Sequence, residues 1–111
     1  MKVKPVVPRR QAELDIEVAF EYYLAESGTS VAVAFTDSLE QAMLHISRHP
    51  ATGSPRYAHD LGITGLRHWP LKGFPYLIFC MELEGHIEVW RVLHGQRDIP
   101  AWLQGLEVRP S

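Results

Sequence analysis

Hydrophobic positions along this chain change period as they run from a short apolar start, through two helix-like stretches, to strand-like alternation at the C-terminal end. Lys2 to Val7 is rich in valine and ends at a proline, which predicts a short first strand, at a sheet edge because Pro5 cannot donate to a ladder. Pro8 suits a first helical turn, where its missing N–H would be unpaired in any case, and Arg9 to Ser27 contains neither proline nor glycine. A helix follows, closed by Gly28. Its apolar residues form two stripes, Leu14, Val18 and Tyr22 on one side and Ile16, Phe20, Tyr23 and Leu24 on the other, wider than one buried face requires. Either one stripe awaits a partner, or the helix is wrapped between the sheet and a second helix.

Thr29 or Ser30 is placed to cap that second helix, in which Val31, Phe35, Leu39, Ala42, Met43 and Ile46 recur as one stripe up to His49, before Pro50. A connection of only Gly28-Thr29-Ser30 makes the two helices antiparallel neighbours. Ala51 to Gly62 has little periodicity and reads as a loop. Strands are expected at Leu66 to Pro70, Tyr76 to Leu83 and His86 to Leu93, joined as a meander by the Lys72-Gly73 turn and the Glu84-Gly85 hairpin. In the last strand Ile87, Val89, Arg91 and Leu93 alternate with Glu88, Trp90, Val92 and His94, so both faces hold apolar residues. Only one face can meet the helices, which makes the other a candidate surface. Beyond Gly95, Asp98 is placed to cap a final turn from which Ile99, Trp102 and Leu103 pack back. The predicted architecture is α+β: a two-layer βααβββ domain over residues 1–111, an antiparallel helical hairpin on one face of a mainly antiparallel sheet.

A chain of 111 residues, 46% hydrophobic and 22% charged, supports one modest core and lies far from the composition of disorder. The single cysteine, Cys80, excludes an internal disulfide and a multi-cysteine metal site, and fits a reducing compartment. No stretch is long and apolar enough for a signal peptide or a membrane span, so cytoplasm without membrane association is expected. Net charge is -2, and between Gln11 and Ser47 stand seven acids and no lysine or arginine. That balance disfavours nucleic acid as a direct partner.

His45 and His49 share a helix face at zinc-ligand spacing, but no third group is evident and the helix dipole alone favours histidine there. No metal or cofactor is expected. Phosphate loops, nucleophile elbows and Cys-His pairings are absent from the sequence. One set could do chemistry: Arg67, His68, His94 and Arg97, two histidines as acid and base and two arginines on a phosphate, the minimum for cutting RNA through its 2′-hydroxyl. The competing reading puts the His68 ring on an open sheet face and has His94 hydrogen-bond the Gly95-Gln96 turn.

Gly65-Leu66-Arg67-His68-Trp69-Pro70, then Tyr76-Leu77-Ile78-Phe79, then Arg91-Val92-Leu93-His94-Gly95-Gln96-Arg97-Asp98-Ile99-Pro100 resemble the signature of the RelE/ParE toxin superfamily, with ParE the nearer branch. The resemblance spans nearly the whole chain and implies the same βααβββ order. It also implies the toxin of a type II toxin–antitoxin module. One branch cleaves mRNA on the ribosome with a strongly basic sheet face; the other, ParE-like, poisons DNA gyrase. Here Pro75-Tyr76, Trp69, Leu71 and Trp102 or Leu103 stand where the endonuclease branch carries its basic and C-terminal residues, and only Arg67 and Arg97 match. The resemblance thus implies a toxin without catalytic residues that binds gyrase and is neutralised by a ParD-like antitoxin, with the Arg67, His68, His94 and Arg97 endonuclease as the alternative. Partner-binding roles are expected for Leu14, Val18, Tyr22 and Tyr23 toward the antitoxin, and for Trp69, Tyr76, Trp90, Arg91, His94 and Arg97 on the effector face. A homodimer and a hetero-oligomer with the antitoxin both stay open.

Overall fold

The computed structural model describes residues 3–96, 99–101 and 103. In chain order it forms β1 (Val6–Pro8), α1 (Arg10–Ser27), α2 (Thr29–Arg48), a 3-10 turn (Pro50–Thr52), α3 (Arg56–Leu61), β2 (Leu66–Pro70), β3 (Tyr76–Glu82) and β4 (Ile87–His94). The expected α+β class and the order of its main elements are present. Gly28 alone separates the two long helices. Its φ of 92° is one that glycine adopts without a Cβ penalty, and its N–H donates to the carbonyls of Tyr23 and Leu24 at 3.1 and 3.2 Å. The expected side-chain cap is missing because Thr29 and Ser30 are already inside α2, whose first position follows Gly28 directly.

The four strands lie in the order β1-β4-β3-β2, with β1 parallel to β4 and the other pairs antiparallel. A parallel pair demands a crossover, and the α1–α2 hairpin supplies it, which sets both helices on one face of the sheet. Between them lies the main core. Phe35, Leu39 and Ile46 of α2 meet Trp69, Ile78, Cys80, Ile87, Val89 and Val92 of the sheet, while α1 contributes Ala12 and Ala19. Alanine at those two buried positions lets the α1 backbone sit close to the strands.

The second face departs from expectation. A register shift between Phe79 and Cys80 sets Arg91 opposite Phe79 and Val89 opposite Cys80, so the extra residue, Trp90, changes the phase of β4. The residues of β4 that enter the main core are therefore Ile87, Val89 and Val92, and Leu93 turns to the other side. That other side is not open. Leu66, Phe79 and Leu93 are buried there with Ile63, Ile99 and Leu103, under Tyr57, Ala58 and Leu61 of α3. The stretch read as a loop thus contains a short helix, because Tyr57, Ala58 and Leu61 make one apolar side within six residues, too few for a periodicity to register. Asp98 and Trp102 lie outside the described residues.

Candidate protein-binding groove

Helix α1 is fastened to the sheet by charge. Asp15 on its inner side accepts from Arg91 Nε and Nη2 at 2.8 Å each, and from the Val92 backbone N–H at 3.0 Å. Both side chains are almost wholly buried, at 7% and 11% exposure for Arg91 and Asp15. Two parallel N–H···O bonds in a dry setting fix direction as well as distance, so the pair sets where α1 lies across β4. The register shift at Trp90 lies immediately before Arg91 in β4.

The fastening leaves a cleft. One part, of about 220 Å³, is lined by Gln11, Leu14, Val18 and Ala19 of α1 and by Tyr76 and Arg91 to His94 of the sheet. A second, of about 460 Å³, continues it past Tyr22, Tyr23, Pro75 and Gln96. Val18, Tyr76 and His94 border both, so the two form one groove between α1 and the ends of β3 and β4. Its α1 wall is the Leu14, Val18, Tyr22 stripe, with Val18 63% and Tyr22 57% exposed. Of the other stripe, Ile16 and Tyr23 pack on the main core, whereas Leu24 is 42% exposed.

Aromatic packing stiffens the groove. Tyr23, Phe35, Phe74 and Tyr76 contact one another at centroid separations of 5.2 to 6.3 Å, and Tyr76 meets His94 edge-on at 5.3 Å. Burial, with Tyr76 and Tyr22 adding to it, pushes the Tyr23 phenol above its ordinary 10.0, so it stays neutral. The His94 Nδ1 accepts from the Gln96 N–H at 3.2 Å, the turn contact expected of it.

Of the residues singled out in the sequence, Leu14, Val18, Tyr22, Tyr23, Tyr76, Arg91 and His94 come together here. Others go elsewhere. Trp69 is 8% exposed in the main core, its Nε1 donating to Thr52 Oγ1 at 3.2 Å. Trp90 packs on the second-face cluster beneath the Arg9 guanidinium, 5.1 Å from its ring, and donates to Glu88. Arg97 lies outside the described residues. Gln11, Pro75 and Gln96 line the groove without having been foreseen, and of these Gln11 had a signal, sitting three residues before Leu14 on the same helical row.

The described members of the alternative endonuclease set, Arg67, His68 and His94, are not assembled in the same way. His68 pairs with Phe79 on the second face, where its ring meets Tyr57 at 5.2 Å and Phe79 at 5.3 Å. His94 pairs with Tyr76 and shares its side of the sheet, in the groove facing α1. The sheet therefore separates the two imidazoles. Arg67 is turned away too, its Nη1 donating to the Gly53 carbonyl at 2.7 Å. Burial first, and the nearby Arg56 second, push His68 below its ordinary 6.5, and its Nδ1 is buried without a hydrogen-bond partner among the described residues. The His45 and His49 rings lie 5.2 Å apart, and no group of three metal-ligating side chains forms among the described residues.

Residues 6–99 match the family model of the ParE toxin of the type II toxin–antitoxin system, parDE. The chain belongs to the ParE toxin family. Its fold agrees with a solved structure described as a chromosomal ParDE TA system from P. aeruginosa, at a TM-score of 0.69 and 15% identity, covering 83% of this chain and 96% of that one. No curated protein matches the chain. As a ParE-family toxin it has an antitoxin as its implied partner, and no helix among its described residues is long and apolar enough to cross a membrane.

Proposed function

We propose that this ParE-family toxin acts by docking on DNA gyrase and stabilising its cleaved-DNA state, and that a cognate antitoxin neutralises it by filling the groove between α1 and β3–β4. The observation carrying this reading is the groove itself: a rigid aromatic floor with exposed Val18 and Tyr22 on one wall and His94 on the other. Aromatic anchors beside an exposed apolar stripe suit a peptide that lies along α1 with side chains at helical or alternate spacing. Tyr76 and His94, assigned to the effector face, border the same groove as the α1 stripe. An antitoxin segment seated there would cover them, so neutralisation follows from occlusion, with no change of fold. Trp69 and Arg91 then serve by holding the scaffold in shape, since one sits in the core and the other is bound to Asp15.

The endonuclease alternative asks for an acid and a base around one phosphate. Placement of His68 and His94 on opposite sides of the sheet weighs against it. The test is a supercoiling reaction with purified gyrase. Accumulation of linear DNA on adding the toxin, and none with a Tyr76→Ala/His94→Ala variant, is expected. Unchanged gyrase activity at stoichiometric excess, with new mRNA ends at codons in primer extension after induction, would replace this reading with the endonuclease.

A further inference from the structure

Charge in the last turn of α1 runs against the helix. Glu17, Glu21 and Glu26 are exposed along it, the last of them in the final turn, which has no basic residue. The C-terminal end of a helix carries the negative pole of the macrodipole, where carboxylates are disfavoured and lysine or arginine would be chosen for stability. Arg10, the nearest cation on the helix, lies at the other end and is 3.7 Å from Glu13. Helical geometry sets Glu17 and Glu21 directly beside the Leu14, Val18, Tyr22 row on its solvent side, and Glu26 continues that row past Tyr22. The groove therefore has an apolar wall edged by carboxylates along most of its length. A carboxylate at the negative pole, Glu26, and two more beside an exposed apolar groove form the pattern expected where a partner supplies the missing charge.

We infer that the segment occupying this groove is an amphipathic stretch of the antitoxin whose apolar side chains seat against Val18 and Tyr22 while lysines or arginines beside them face Glu17, Glu21 and Glu26. This rests on the reading of the groove as the antitoxin site and adds the chemistry of its occupant. Among the described residues none of these three carboxylates forms an ion pair, and the helical segment from residue 11 to 47 holds no lysine or arginine. Opposite charge beside an apolar seat fixes the direction and register of the segment and speeds its arrival, and excludes acidic segments of the same apolar pattern.

The probe is the cognate antitoxin, titrated onto this chain at low and high salt. Three toxins are compared: the unaltered chain, E17K/E21K with the charge edge reversed, and V18K with the apolar wall broken. Circular dichroism spectra and melting curves establish that each is folded, and all three substitutions are at exposed positions. The expected result is an affinity that falls with salt and drops about tenfold in E17K/E21K, two rim attractions being lost and two repulsions gained, with V18K weaker as well. Binding by E17K/E21K that is unchanged or tighter, while V18K is weakened, overturns the charge inference and leaves the groove reading standing. Binding by V18K that is unchanged overturns the groove reading, and the inference with it.

Discussion

Asp15 and Arg91, 76 residues apart in the chain, decide how α1 meets the sheet. A buried pair of this kind adds little over a well-packed apolar pair, but removing one partner strands the other's charge in a dry interior. Asp15→Asn should cost about 3 to 5 kcal/mol in urea denaturation, a large share of an ordinary domain's stability. The double replacement Asp15→Leu with Arg91→Met should recover only part of that loss. It removes both charges, yet the Val92 N–H then has lost the carboxylate that accepts from it at 3.0 Å. Full recovery would mean that the backbone contact contributes nothing. Neither residue type announces this role in sequence. An aspartate in an amphipathic helix is ordinarily solvated, and Arg91 by spacing alone could equally pair with Glu88.

At the scale of elements, α3 closes the second face of the sheet over His68. Its ring is enclosed by Tyr57 and Phe79, and burial together with Arg56 favours the neutral imidazole. A group whose folded-state pKa is depressed binds fewer protons folded than unfolded at acid pH. Its full contribution to stability is therefore present above the ordinary value of 6.5 and is lost as pH falls below that value toward the folded one. The urea midpoint should fall between pH 7 and pH 5, and His68→Phe, which packs with Phe79 and does not titrate, should flatten that part of the slope. Equal slopes for the two proteins would show that α3 does not hold the ring away from water. The helix itself escaped the sequence reading because six residues give less than two turns of pattern, and its stop signal, Gly62, also suits a loop.

On the scale of the whole molecule the sheet is a partition, with a main core under the helical hairpin and a smaller cluster under α3 and the C-terminal residues Ile99 and Leu103. Cys80 lies inside the main core at 1% exposure, and burial pushes its thiol up to about 12 from 9.0. At pH 8 a thiol reagent should modify the native protein roughly a thousandfold more slowly than a free thiol, and at full speed in denaturant. Rapid labelling without denaturant would mean that the main core opens far more readily than its packing implies. Much of this molecule could be read from the chain before any coordinates. The clean stripe of α2, the apolar run of β3, and the glycine between the helices are local signals, and local signals survive in sequence because each residue's preference and its neighbours' agree. The same holds for the excess stripe on α1, which follows from helical geometry alone. What only tertiary structure decided was which stripe faces inward, on which side of the sheet each histidine falls, and whether the second face is open. A single extra residue in β4 exchanges the faces of Val92, Leu93 and His94, and no local preference records that shift, because it is set by pairing with a strand that the chain reaches only on folding.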